Sequence, residues 1–401
     1  AMEPVAATAV FGRTVPVSDA AGLVAAVGNA EANDIILLAK GTYPLEGTLA
    51  IGNLLRVEGA TQDPADVILD GQQHSPVVSL VGVQTRISGL TVSNGYSTVA
   101  SAQGGGIFLT AGTVSRCVVT QCTLKGNNST GGGVYMSGAD TVLEDSLVSV
   151  CSAGRGTGVS GVYNNSGTVR RTTITGCVPT TGSSYSEDIY SSIGLEQTGD
   201  TALTENCVIS NNVAQYNHSN YACVGGVCLT GGEVRNSLIV GNSTGTKKEG
   251  DDKKTVASGG VYVNGATARL VNCTVADNWS RGFGGNVYVS GTTARIENCV
   301  ITGGRAYLGN CGDVFQDFYP ASAMDYVTHS IIGGSVADHV YPYGSAGLDA
   351  DYGLTQNSSF NDVGWKPSAS TALACGITAD RRMVKVGSPV TLKAILHNAA
   401  E

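Results

Sequence analysis

The chain has little charge, little proline and no long apolar run. Charged residues are 14% of its 401 positions and prolines number 10, whereas glycines number 55. An average domain carries about 25% charged residues, and helical proteins rarely combine so little charge with so much glycine. Acids outnumber bases, for a formal net charge of -9. There is no basic stripe to neutralise phosphates, which excludes a nucleic-acid partner. No apolar run approaches the roughly 18 residues of a membrane helix, which excludes membrane insertion by a helix. The opening "AMEPVAATAV" has no basic n-region and reads as a trimmed mature start with a cloning remnant. The five histidines (His74, His218, His329, His339 and His397) have no metal-ligand spacing. No glycine-rich segment follows a strand and opens a helix, so the glycine pairs are turns rather than phosphate loops. Neither a metal nor a cofactor is expected.

What is present is a repeat. A glycine pair followed by a β-branched residue and an aromatic reads GGGIF (104–108), GGGVY (131–135), VSGVY (159–163), SEDIY (186–190), VGGVC (224–228), SGGVY (258–262), GGNVY (284–288) and CGDVF (311–315). A second anchor, a short strand with a small residue and two more strand formers, reads SRCVV, EDSLV, RRTTI, ENCVI, RNSLI, VNCTV, ENCVI and THSII. Its small residues are Cys117, Ser146, Thr172, Cys207, Ser237, Cys273, Cys299 and Ser330, spaced 29, 26, 35, 30, 36, 26 and 31 apart. Short strands and turns recurring at such a period predict a solenoid. Stacking the coils buries faces that no single strand could bury, and parallel stacking makes a β-helix. Five residues past the second anchor lies a further row, Cys122, Cys151, Cys177, Asn212, Asn242 and Asn278. Stacked asparagines satisfy each other's amides from coil to coil, and cysteine fills the same slot as a small apolar residue.

The chain has 11 cysteines. Stacked positions point their side chains the same way, a poor disulfide geometry, so most are expected to be buried free thiols. Cys223 and Cys228 flank a loop and form the one pair left open between thiols and a disulfide.

Ahead of the repeats, Ser18 is placed to cap a short amphipathic helix carrying Leu23, Val24 and Val27. That helix would plug the first coil and cover a sticky edge. This opening resembles the start of the pectin-lyase-like superfamily of right-handed parallel β-helices. The GGGVY and NC-V-I coils resemble bacterial surface proteins with right-handed β-helix repeats. "DADYGLTQNSSFNDVGW" (349–365) resembles their closing segment but departs from it at Ser359, Phe360 and Asn361. The resemblance implies an all-β, right-handed parallel β-helix. It does not fix the chemistry, because this fold hosts lyases, hydrolases, epimerases and adhesins.

The expected organisation is a tail (1–14), a β-helix with its N-terminal cap and closing segment (15–375), and a last part (376–401). The last part, "DRRMVKVGSPVTLKAILHNAAE", alternates like strands. It is read as the start of an immunoglobulin-like domain of a longer chain, or as C-terminal cap strands.

Function in a solenoid sits in coil insertions. "VPTTGSSYSED" (178–188), "VAQYNHSNYAC" (213–223) and "STGTKKEGDDKKTVA" (243–257) leave consecutive coils at one corner. Aromatics beside carboxylates suit sugars, whose ring faces stack and whose hydroxyls take polar groups. Tyr185, Tyr216, His218, Tyr221, Lys247 and Asp251 are therefore the expected ligand contacts. The mixed charge run from Lys247 to Lys254 also reads as a solvated loop. Asp188, Asn286 and Asp313 are read in the glycine slot of the repeat, a broken local rule that marks either function or a turn residue bonding amides. If the chain is an enzyme, the candidate catalytic residues are Glu187, Asp188, Asp313 and His218. Arg116, Arg170, Arg171 and Arg235 lie in coil strands at no obvious cleft. The expected partner is a polysaccharide or host glycan, bound adhesin-like by a monomer at the bacterial surface or outside the cell. The alternative is a polysaccharide lyase or glycoside hydrolase using the same loops, and a structural stalk is the third reading.

Overall fold

The computed structural model describes residues 12–332 apart from 53, 155–157, 181–190, 215–222, 245–256, 291–293, 307–311, 317–326 and 329, together with 340–342, 374–379 and 392–397. Strands of two to four residues, set end to end, run through three long parallel sheets. Sheet S1 has eleven strands, from Leu49–Ile51 to Val340–Pro342. Sheet S2 has twelve, from Thr14–Val17 to Val327–Thr328. Sheet S3 has eleven, from Gly41–Pro44 to Ile331–Ile332. Each coil visits S1, S2 and S3 in turn, then climbs to the next. This is the right-handed parallel β-helix that the repeat predicts. In the regular coils a short extra strand follows S3, as in Tyr96–Ser97, Thr123–Leu124 and Ser152–Ala153.

Alternation sets which residues face inward. In S1 the first and third residue of each strand point into the coil, so Ile107, Val134, Val162, Leu195, Val227, Val261, Val287 and Val314 form one in-register column. All eight are fully buried, and each such side chain contributes about 1.5–3 kcal/mol. A slip of one residue would turn the whole column outward.

The second anchor is a corner rather than one strand. Arg116, Asp145, Arg171, Asn206, Asn236, Asn272 and Asn298 stand between S2 and S3 with φ between 48° and 54°. Asparagine tolerates this left-handed backbone better than most residues, which explains the Asn before the small residue in four of these coils. The small residues then stack. Cys117 donates its amide to Ser146 Oγ (3.1 Å), Cys207 to Ser237 Oγ (3.1 Å) and Cys299 to Ser330 Oγ (3.0 Å).

Helix α1 (Ala20–Gly28) packs against the first coil through buried Leu23, with Ala20, Ala26 and Val27 half-buried on the core. Its N-cap is Asp19, one residue beyond the expected Ser18. The Asp19 carboxylate accepts from the Gly22 amide at 2.7 Å. Val24 points away and is exposed. No helix among the described residues is long and apolar enough to cross a membrane. Near the C-terminus, Ala374–Ala379 and Leu392–His397 pair antiparallel, with Gly376 opposite Ile395.

Candidate functional site

In the S1 strands from Leu49–Ile51 to Val287–Val289 the middle residue lies on the outer side of the coil wall, where Tyr288 is buried against Tyr262 and Phe283. The register aligns Ala50, Ser79, Phe108, Tyr135, Tyr163, Glu196, Cys228, Tyr262, Tyr288, Phe315 and Tyr341 in a single row up the solenoid. The Phe108 and Tyr135 rings stack with centroids 5.4 Å apart and an interplanar angle of 4°. Tyr135 and Tyr163 stack at 5.0 Å and 5°. Further along, Tyr262 and Tyr288 meet at 5.7 Å, tilted by 40°. Thr198 donates to the Tyr163 hydroxyl at 3.3 Å and Asn264 Nδ2 to that of Tyr262 at 3.1 Å. Burial, then the neighbouring Tyr163, pushes the Tyr135 phenol up, so it stays protonated and able to donate.

Glu196 and Cys228 interrupt this row of rings. The sequence places the glycine slot of the Glu196 coil at Asp188, within SEDIY. The register places it at Gly194, because Leu195 pairs with Val162 on one side and Val227 on the other. A Cβ at Gly194 would lie 2.9 Å from Asn212 Nδ2, so only glycine fits. Glu196 thereby takes the aromatic's place. Burial pushes its carboxyl up, partly offset by a hydrogen bond with the Ser192 hydroxyl. Burial also pushes the Cys228 thiol up, as does the Glu196 carboxylate, with Ser192 again opposing. A carboxyl, a hydroxyl and a thiol thus meet in the middle of a row of rings. Glu196 was missed in the sequence because the false anchor SEDIY hid its register. The signal that would have found it is the spacing of Gly194 to Cys207, which equals the 13 positions from Asn286 to Cys299.

The corrected register also moves the insertion. All the extra length of this coil lies before Gly194, as in the next two coils. The flanks of all three insertions pair with each other: Val213 bridges Ser243, Ser191–Ser192 pairs with Cys223–Val224, and these pair with Ala257–Ser258. The insertions are therefore rooted at one corner, immediately before S1. Tyr185, Glu187, Asp188, Tyr216, His218, Tyr221, Lys247 and Asp251 lie outside the described residues.

The asparagine row is present. Asn212 donates from its side chain to Asn242 Oδ1 (2.9 Å), and Asn242 to Asn278 Oδ1 (3.0 Å). The next coil has Gly304 at this position and Asn286 in its glycine slot, the two residues exchanged. Asn286 enters the same space from the opposite wall. It accepts from Asn278 Nδ2 at 2.9 Å and donates to Asp313 Oδ1 at 2.7 Å. Asp313, 1% exposed, also accepts from the Gly304 amide at 2.7 Å. These hydrogen bonds account for a carboxylate in a glycine slot and set Asp313 inside the coil wall, away from the outer row.

The arginines are paired on the outer face of S2. Arg170 holds Glu144 Oε2 at 2.7 Å, Arg171 holds Asp145 at 2.7 Å and Arg235 holds Glu205 at 2.7 Å. The nine cysteines with described side chains, Cys223 and Cys228 among them, are free thiols. No group of three or more metal-ligating side chains is found among the described residues.

No protein-family model and no curated protein matches the chain. Solved structures do. The pectate lyase Pel9A matches at 15% identity and a TM-score of 0.44, over 90% of this chain and 94% of that one. An alginate lyase from Paenibacillus sp. str. FPU-7 matches at 15% identity and 0.37, over 79% and 99%. The Dettilon tailspike protein matches at 13% identity and 0.40, over 80% and 64%.

Proposed function

We propose that the chain is a polysaccharide-binding β-helix module of a bacterial surface or secreted protein. The observation that carries this reading is the outward row of rings on S1, broken by Glu196 and bordered by three consecutive insertions. Parallel stacked rings offer sugar faces a continuous apolar edge, and Glu196, Ser192 and Thr198 offer hydroxyl partners beside it. Tyr185, Tyr216, His218, Tyr221, Lys247 and Asp251 complete the ligand contacts from the insertions. The reading is adhesin-like because the described part of the row holds one carboxyl, whereas glycoside hydrolysis needs two. Residues 376–401 begin an immunoglobulin-like or capping segment.

An enzyme is the second reading, and Glu196 is the observation that favours it. A carboxyl that burial pushes above its ordinary pKa has the form of a general acid. The test is a glycan-array screen in which every hit is checked by mass spectrometry. Intact glycan, with binding lost in Tyr163→Ala and in Tyr216→Ala/His218→Ala, supports the binding module. Shortened or unsaturated products overturn it in favour of a hydrolase or lyase.

A further inference from the structure

Resting on the glycan reading of the S1 row, we propose that the row selects uncharged sugars and that Glu196 is the residue that sets this choice. The argument begins with what the row lacks. None of its eleven in-register positions is Lys, Arg or His. A uronate needs a cation or a metal to offset its charge as it leaves water. The described residues offer no metal-ligating cluster, and Arg170, Arg171 and Arg235 are committed to acids on another face. The basic run of the third insertion, Lys247, Lys248, Lys253 and Lys254, is interleaved with Glu249, Asp251 and Asp252, and the whole chain carries -9. Its long-range field repels polyanions.

Geometry then gives Glu196 its role. It occupies a ring's position between Tyr163 on one coil and Cys228 on the next. Adjacent parallel strands lie about 4.8 Å apart, close to the repeat of the Tyr135–Tyr163 stack at 5.0 Å. A sugar lying over Tyr163 therefore brings its edge to Glu196. Among the described residues, Tyr163 and Cys228 are its register partners and the Ser192 hydroxyl hydrogen-bonds to it. In its protonated form, which burial favours, the carboxyl both donates to and accepts from a sugar hydroxyl. Once ionised, it can only accept, and it repels any carboxylate beside it.

The test is calorimetric titration of the whole chain with neutral oligosaccharides (gluco-, manno- and xylo-series) and with oligogalacturonate and oligoalginate, at pH 5 and pH 8. The expected result is binding of a neutral series and at least about tenfold weaker binding of both uronates at pH 8. Neutral-sugar affinity should fall from pH 5 to pH 8 in the wild type and lose that pH dependence in Glu196→Gln. Melting curves would establish that the variant is folded, and the wild-type comparison alone tests selectivity. Uronates binding at pH 8 as tightly as neutral sugars would overturn the inference while leaving the row a glycan site. No binding of either series would overturn the glycan reading itself, and the inference with it.

Discussion

Single residues in this solenoid are judged by the repeated position they occupy. Val150 stands at the corner after S3 with φ 53°, where other coils place Gln121, Gly176, Asn211, Gly241, Asp277 and Gly303. A β-branched residue there is strained by about 1–2 kcal/mol, and its side chain is 56% exposed. Val150→Asn should therefore stabilise by about 1 kcal/mol, read as a higher urea midpoint. Asn242 is the opposite case. Its side chain accepts from Asn212 and donates to Asn278 and to the Ile209 carbonyl. Asn242→Ala strands buried partners and should cost about 2–4 kcal/mol. Asn242→Cys should recover part of this, since cysteine fills the same slot at positions 122, 151 and 177. Two carboxyls give opposite pH slopes. Asp34 is held well below the usual range by Arg13, whose guanidinium reaches it at 2.7 Å, and by the Glu31 amide. A lowered folded value gives stability that is present above the ordinary pKa of about 3.9 and lost as pH falls through the folded one. Glu196 is raised, so its contribution is complete below about pH 4 and declines as pH rises through its folded value. Denaturation series at several pH values should show Asp34→Asn flattening the acid limb and Glu196→Gln the limb above it.

At the scale of elements, the repeat made the fold legible. Stacked coils and the asparagine row both follow from spacing. The site was less legible. Glu196 sits in a coil whose glycine pair has shrunk to Ile193–Gly194, while Ser186–Tyr190 in the preceding insertion imitates the motif. Spacing found the right corner for the insertions but put this coil's glycine slot at Asp188 instead of Gly194. The Asn286 and Gly304 exchange was equally opaque, because it preserves volume across the coil rather than identity along the chain. The charged row on S2 is a second element. Glu144, Arg170, Glu205 and Arg235 alternate in register, so Arg170 and Glu205 each have an opposite charge above and below. Glu144 is 8% exposed and accepts from both Arg170 and Arg171. Glu144→Gln should lower stability by about 1–2 kcal/mol, and raising salt should shrink the difference.

For the whole molecule, the free thiols are a test of the packing. Burial pushes Cys117 and Cys207 up to about 12, so they are un-ionised at neutral pH. At the nine described cysteines the native protein should react slowly with maleimide and the unfolded chain rapidly. The row from Asn212 to Asp313 has a last consequence. One N–H of every side-chain amide in it donates toward the C-terminal end of the solenoid, and every amide oxygen accepts from the N-terminal side. The carboxamide dipoles therefore add head to tail along the axis, as peptide dipoles do along a helix. The row ends on donor hydrogens, and the group that meets them is the carboxylate of Asp313. The solenoid thus has an electrical polarity that its sheets do not supply, with an anion set where the positive end falls.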